Sequence, residues 1–316
     1  MRAIQVTEFG GPEVLELREI DDPVVPEGAI AIDVEAAGVN YADTHQAENS
    51  YLAPAELPLV PGAEVVGRTA DGRRVVALTA AGGGYAERAV TYPNLVWDIP
   101  EGVSDGQALS TVLQGATAWH LLKTSSHMAA GETVVVHAAA GGVGSIAVQL
   151  AKRWGAGRVI GTASSEEKRA LALDLGADAV VDSRSDDLKK ALVEANDGRK
   201  VDVILDMVGG PTFDAGLNAL APFGRIVTYG MASRIPPSPI ETGMLMGRSR
   251  AVVGFWLAHC YLVPGMLDIA ISELLGLIAA GELRPVVGGS YPLAEARRAH
   301  EDIRGRGTTG KLVLVP

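Results

Sequence analysis

Two hydrophobic periodicities divide the chain. Over residues 1–113, short apolar runs at 30–34, 65–69 and 74–78 are separated by the turns Gly10-Gly11-Pro12, Pro61-Gly62 and Asp71-Gly72. Runs this short, punctuated by glycine and proline, predict the strands of a small β-rich barrel. Over residues 114–257 the pattern alternates strand with helix. Strands are expected at 133–137, 158–163, 179–182, 202–208, 225–229 and 251–255, most of them rich in Val and Ile, as strands buried on both faces are. After the first of these, Ile146, Ala147, Leu150, Ala151 and Trp154 fall on one face at helical spacing. Strands joined in this way by crossover helices predict a doubly wound parallel sheet, so the class is α/β. Residues 258–316 read as a helix near 266–280, a turn at Gly288-Gly289, a helix near 293–304 and a last strand at 311–315 that would return to the first domain.

Composition acts mainly by exclusion. Of 316 residues, 38 are acidic and 27 are Lys or Arg, a formal net charge of −11. That balance disfavours nucleic acid and anionic membrane as partners, since both call for a basic patch. A single cysteine, Cys260, rules out an intrachain disulfide and the multi-thiolate zinc sites. The histidines show no H-x-x-x-H or H-E-x-x-H spacing. The expectation is a metal-free, cytoplasmic protein. The first ten residues carry Arg2 and Glu8 and do not read as a signal peptide. Two uncharged stretches, 133–151 and 251–267, are interrupted by His137, Gln149, His259 and Pro264 and fit a globular core better than a membrane span.

The densest chemical signal is the run of three valines and His137 that leads into Ala138-Ala139-Ala140-Gly141-Gly142-Val143-Gly144. A tight turn needs residues without a Cβ, and so does close approach of backbone amides to a pyrophosphate. The following helix start offers free N–H groups and the positive end of a dipole. Counted against G-x-G-x-x-G, Ala139 replaces the first glycine, while Gly141 and Gly144 hold the other two places. The strand before and the helix after supply the context that makes this a dinucleotide site.

An NAD site carries Asp or Glu at the end of the second strand, to bind the ribose hydroxyls. That place falls near Ala163, where there is no acid. Ser164 and Ser165 offer hydroxyls instead, and Lys168 lies within reach from the next helix. These groups welcome a 2′-phosphate and favour NADPH. The alternative is that Ser164 caps the helix and Lys168 is an ordinary exposed lysine; Glu166 and Glu167 keep it open.

The combination of AAGVNYAD at 36–43, PGAEVVG at 61–67, GGYAE at 83–87, QGATAW at 114–119, AAAGGVG at 138–144 and GTTGKLVL at 307–314 resembles the medium-chain dehydrogenase/reductase superfamily. Within it, the chain is most similar to the zinc-free quinone oxidoreductase family, which includes zeta-crystallin. The resemblance covers the whole chain. It implies a GroES-like β-rich catalytic domain made from residues 1–113 and 258–316, with a Rossmann NADP-binding domain at 114–257 inserted between them. It also implies a homodimer, joined near 251–255. Where zinc-dependent relatives carry a Cys and a Gly-His-Glu motif, this chain has Ala37 and Gly62-Ala63-Glu64. Without a Lewis acid, a quinone or enone-like conjugated double bond is the expected small-molecule substrate.

By the same resemblance, Asn40 sits beside the nicotinamide and Thr117 supports it. Gly141, Gly142, Val143 and Gly144 hold the pyrophosphate, and Ser164 and Lys168 the 2′-phosphate. Arg306 takes the place of a family arginine near the cofactor. Ser183 stands where the family often has Tyr beside the adenosine. Residues 44–47 lack an arginine common after Asp43. His45 replaces a family tyrosine, and Tyr51 matches another. His45 and Tyr51 are candidates to donate a proton or hydrogen bond to a forming enolate or hydroquinone, with a packed loop residue as the alternative. Phe255 and Trp256 line the nicotinamide end or simply pack. Glu64 and Tyr85 read as structural, and His137 as a hydrogen-bonded core residue within the first parallel strand. Two other functions stay open: a 2-enoyl thioester reductase using Arg248 and Arg250 or Arg297 and Arg298, and a non-catalytic NADPH-binding protein.

Overall fold

The computed structural model describes residues 1–79 and 82–316. The chain divides into two compact units, one made of Met1–Gln114 with Ile271–Pro316 and the other of Gly115–Ala270.

The first unit is β-rich. Its early strands are β1 (Arg2–Gln5), β2 (Glu16–Glu19), β3 (Ile30–Val39), β4 (Glu64–Thr69), β5 (Arg74–Leu78), β6 (Arg88–Thr91) and β7 (Val96–Asp98). β3 shows why the pattern folds this way: Ile32, Val34 and Ala36 are buried, and Asp33 and Glu35 between them are exposed. The second unit supplies β8 (Thr133–Val136), β9 (Arg158–Ala163), β10 (Ala179–Asp182), β11 (Val201–Asp206), β12 (Leu220–Thr228) and β13 (Ala251–Gly254). The chain then returns to the first unit for β14 (Val287–Pro292) and β15 (Lys311–Val315).

In the first unit, seven strands join β14-β15-β3-β4-β5-β7, with β6 also on β3. β15 pairs antiparallel with β3, placing Leu312 opposite Val39 and Leu314 opposite Ala37. The last strand therefore does return, as its sequence suggests. Ile4, Ile32, Val39, Val65, Tyr85, Leu312 and Leu314 form the core.

In the second unit, six parallel strands run in the order β10-β9-β8-β11-β12-β13. Helices Gly142–Arg153, Glu166–Asp174, Leu188–Ala195 and Gly210–Ala219 connect successive strands. Strand order reverses between β8 and β11. In such sheets ligands bind outside the carboxyl ends of the strands at that reversal. β10 and β13 are its two edge strands. No helix among the described residues is long and apolar enough to cross a membrane.

Several boundaries differ from the sequence pattern. Gly288 and Gly289 lie inside β14 rather than in a turn, because a Cβ on Gly288 would meet the Thr309 carbonyl carbon at 2.7 Å. Glycine here permits close backbone approach. β12 starts at Leu220, earlier than the apolar run implies, since Leu220 pairs with Val201 ahead of an irregularity in the ladder. His137 follows β8 instead of lying within it. Ser165, not Ser164, caps the helix Glu166–Asp174 by accepting from Lys168 N–H at 3.3 Å.

Candidate functional site

The glycine turn lies at the carboxyl end of β8, beside the strand reversal. Ala138 takes φ +52°, and Gly141 N–H donates back to its carbonyl at 2.8 Å. A Cβ on Gly144 would sit 2.9 Å from the Ala138 carbonyl carbon, and one on Gly141 3.2 Å from its oxygen. A side chain is thus excluded at Gly144 and crowded at Gly141 by the packing of the turn against its own helix. Gly141 caps the helix Gly142–Arg153 with no side-chain acceptor. The first-turn N–H groups of Gly142, Val143 and Gly144 have no acceptor within the helix. With the helix dipole they form an anion cradle that fits a pyrophosphate.

His137 braces this turn from inside. It is fully buried, with Nδ1 2.9 Å from Thr162 Oγ1, while Ala139 N–H donates to the Thr162 carbonyl at 3.0 Å. Burial pushes the imidazole down to about 4, so it is neutral at pH 7. Across the reversal, Asp206 ends β11 and accepts from Val208 N–H at 3.3 Å and Gly209 N–H at 3.0 Å. Burial raises this carboxyl to about 6. Residues 229–233 are tied alongside: Tyr229, Ala232 and Ser233 N–H donate to the carbonyls of Asp206, Met207 and Val208, each at 2.9 Å. This second wall was missed in the sequence. Its signal was an aspartate closing a strand, followed by Gly209-Gly210-Pro211, which is an Asx turn opening a helix.

At the carboxyl ends of β9 and β10, Ser164 and Ser183 are half-buried. Ser183 N–H donates to the Ala163 carbonyl at 3.1 Å. Ser165 is occupied as the cap, and Glu167's own backbone N–H, then the Ser165 hydroxyl, lower the Glu167 carboxyl. Lys168 is half-buried, and desolvation lowers its ammonium pKa. Arg169 and Arg184 stand at the same edge, both against Asp182, at 3.1 and 3.4 Å. Sequence reasoning singled out neither, because arginines beside acids look like surface pairs. Elsewhere in this unit Thr117 is buried on the helix Ala116–His120, and Phe255 stacks on His120 with ring centroids 6.1 Å apart.

In the first unit, Asn40 caps the short helix Tyr41–Ala47 and is 3% exposed. Its side chain belongs to a buried polar cluster. Nδ2 donates to Glu64 Oε1 at 2.9 Å; Oδ1 accepts from Lys311 Nζ at 3.1 Å and from Gln114 Nε2 at 3.2 Å. Lys311 also ion-pairs with Glu64, and both side chains are fully buried. A Cβ on Gly38 would overlap this pair, lying 2.6 Å from Lys311 Cε. Gly38 is what lets β3 pass so close. Lys311 and Gln114 were not among the sequence candidates.

A second buried chain runs behind Asn40. Asp43 Oδ2 accepts from Asn40 N–H and Tyr85 O–H, both at 2.8 Å, and Tyr85 oxygen lies 3.1 Å from His300 Nε2. Tyrosine has one hydrogen to give, so His300 donates to it through Nε2. Burial raises Asp43 to about 6 and lowers His300 to about 4. Tyr85 is locked in the core, where burial and Asp43 push its phenol well up. His45 Nδ1 is 2.9 Å from Ser50 Oγ, and its ring meets Tyr41 edge-on at 5.5 Å. Tyr51 and Arg306 are exposed, Arg306 at φ +55°. Asn40 is thus joined to charged core residues, whereas His45 lies half-buried on the helix Tyr41–Ala47 and Tyr51 on the loop that follows it. Among the described residues, no group of three His, Cys, Asp or Glu side chains is placed to hold a metal ion.

Comparison with known proteins matches both units. Residues 26–101 match the alcohol dehydrogenase GroES-like domain family, and residues 142–272 match the family described as zinc-binding dehydrogenase. The chain is 35% identical to a quinone oxidoreductase of Pseudomonas aeruginosa, over 100% of this chain and 99% of that protein. A mycobacterial protein solved in complex with NADPH is 38% identical with a TM-score of 0.92, covering all of both chains. The Escherichia coli quinone oxidoreductase solved with NADPH gives a TM-score of 0.93 at 33% identity, again over all of both chains.

Lys168→Ala should weaken NADPH binding by about ten- to a hundredfold, the range of a hydrogen bond to a charged group, and leave NADH nearly unchanged. Titration of both cofactors checks this, and equal losses would remove the phosphate role. His137 is neutral when folded down to about 4, against 6.5 in the unfolded chain. As pH falls from 6.5 towards 4 the unfolded chain takes the proton first, so stability drops by roughly 3 kcal/mol from this group. Asp43, raised from 3.8 to about 6, opposes part of that slope by taking its proton first in the folded state. His137→Asn should flatten the fall in Tm between pH 6.5 and 4; an unchanged slope would sink the assignment.

Proposed function

Since the chain belongs to the quinone oxidoreductase family of the medium-chain dehydrogenase/reductase superfamily, we propose that it reduces a quinone or another electron-poor conjugated double bond at the expense of NADPH. The observation that carries this reading is the strand–glycine turn–helix at the reversal of the parallel sheet, joined to a second-strand end with no acid. NADPH, when bound, would supply the hydride, so no protein nucleophile is required. The chain's own residues do the rest. The N–H groups of Gly142, Val143 and Gly144 hold the pyrophosphate, and Ser164 and Lys168 hold the 2′-phosphate. Ser183 faces the adenosine portion, with Thr117, Phe255 and Arg306 as further cofactor contacts. Asn40 orients the reacting end.

Hydride addition to a quinone gives a hydroquinone anion, which then takes one proton. His45 and Tyr51 are the side chains proposed to donate it or to hydrogen-bond the oxygen, because both carry a donor and neither is buried in the core: His45 is half-buried on the helix Tyr41–Ala47 and Tyr51 is exposed on the loop after it. Asp43 and Tyr85 are not assigned this step; each is enclosed and bonded to core neighbours. Zinc has no part in this reading. Glu64, in the place of the zinc-bearing motif of relatives, is bonded to Lys311 and Asn40. Reduction of an enoyl thioester gains no support from Arg250, whose guanidinium is committed to the Leu217 and Leu220 carbonyls.

The same reading makes the protein a cytoplasmic homodimer joined along β13. Supporting it, β13 is an open sheet edge, and Phe223 and Met246 beside it are 83% and 80% exposed. An open edge flanked by apolar side chains is otherwise a liability. Replacing Phe223 and Met246 by Asp should convert the dimer to monomer in light scattering; a wild-type chain that is already monomeric overturns this part.

Purified protein should oxidise NADPH on addition of 1,4-benzoquinone, with kcat/KM for NADPH well above that for NADH, and should keep its rate in excess EDTA. No oxidation with any quinone or enone would refute the enzymatic reading. Chelator sensitivity would refute only its zinc-free part.

A further inference from the structure

We infer that the buried Glu64–Lys311 pair is a positioning device that turns the Asn40 carbonyl inward, so that Asn40 offers a ligand one hydrogen-bond donor and no acceptor. The inference deepens the proposed function and rests on Asn40 facing a ligand. A primary amide has two N–H donors and an oxygen with two acceptor sites. Asn40 Oδ1 already accepts from Lys311 Nζ and Gln114 Nε2, which fills it. One Nδ2 hydrogen goes to Glu64 Oε1. The other has no partner among the described residues.

The charges decide the orientation. Lys311 Nζ has three hydrogens, and three oxygens surround it: Glu64 Oε1, Asn40 Oδ1 and the Val39 carbonyl. Flipping the Asn40 amide would set its NH2 against an ammonium and another NH2, and its oxygen against a carboxylate. All three contacts would turn from attractive to repulsive in a buried setting, where such terms are least screened. The pair therefore selects one of the two amide orientations that shape alone would allow. It also polarises the remaining N–H, since the amide oxygen faces a cation.

The ligand group matched to that hydrogen is a carbonyl oxygen. Two sources share this chemistry: the carboxamide of the nicotinamide, and the carbonyl of a quinone or enone. An N–H aimed at a substrate carbonyl would also stabilise the negative charge that hydride addition places there. Glu64, Lys311 and Gln114 act through Asn40 and touch neither molecule in this scheme, so they are positioning residues.

The test compares the full-length protein with Asn40→Ala and with the double variant Glu64→Gln, Lys311→Met, which removes both buried charges together and leaves neither unpaired. Dissociation constants are measured for NADPH and for 2′-phospho-ADP-ribose, which lacks the nicotinamide, and the KM for 1,4-benzoquinone at saturating NADPH. Both variants should weaken one carbonyl ligand about tenfold and leave 2′-phospho-ADP-ribose unchanged. A rise in the NADPH constant assigns the donor to the carboxamide; a rise in the quinone KM alone assigns it to the substrate. A folded double variant that matches wild type while Asn40→Ala is impaired overturns the positioning role and leaves the Asn40 assignment standing. No change in Asn40→Ala overturns both.

A second measurement needs no folded variant. In wild-type protein carrying 15N-asparagine, the Asn40 side-chain resonances should show one of the two Nδ2 hydrogens moving when NADPH or quinone is added. Movement of neither, or equal movement of both, counts against a single fixed donor.

Discussion

A fully buried ammonium is the constraint around which the first unit is organised. Lys311 has no solvent to fall back on, and removing either partner of such a pair strands the other charge at a cost of about 3–5 kcal/mol. Its requirements are met by Glu64 from β4, by Asn40 and by the Val39 carbonyl at the end of β3. Those contacts set how closely β15 and β3 approach, and that approach is possible only because Gly38 has no side chain. The capping of the helix Tyr41–Ala47 and the bond from Asn40 N–H to Asp43 follow from the same anchor point. One charge pair thus connects sheet register, a helix start and the side chain proposed to meet a ligand.

The two units handle polar groups in opposite ways. The second relies on backbone: glycines clear space, helix-start amides are left without helical acceptors, and carboxylate-to-amide bonds hold the wall at Asp206. Such recognition depends on main-chain geometry and tolerates changes in side chain wherever glycine is kept. The first unit relies on side chains at specific depths, where each polar atom must be matched within the core. Substitutions there act on fold and site together.

This contrast explains what was legible in the sequence. The parallel sheet was visible because its Val- and Ile-rich runs repeat, and the turn was visible because glycines cluster where a Cβ cannot fit. Failures fell where long-range contacts override local pattern. Gly288 and Gly289 look like a turn until the Thr309 carbonyl is brought against them. Lys311 looks like the ordinary polar start of a strand, and only pairing across the sheet shows that it is buried. Glu64 was read as structural, and its bonds to Asn40 and Lys311 give that reading its content. Asn40 was chosen for its amide, but nothing local indicates that most of that amide is already engaged. Ser164 and Ser165 differ by one position, finer than a capping pattern resolves, and it is Ser165 that caps.

The ladder between β3 and β15 has a consequence for how the molecule is made. Lys311 meets Val39 across 272 positions of chain, among the longest separations in the fold, whereas Gly115–Ala270 is one uninterrupted run. On a ribosome the parallel-sheet unit is complete in sequence before the partner of β3 has been synthesised. β3 and Glu64 must therefore wait, with one sheet edge unpaired and a carboxylate lacking its cation, while the inserted unit collapses. Loop closure over such a span is slow, and exposed edges in the interval invite wrong pairings. Vectorial synthesis thus gives this chain an order of assembly, with the unit interrupted in sequence finished last.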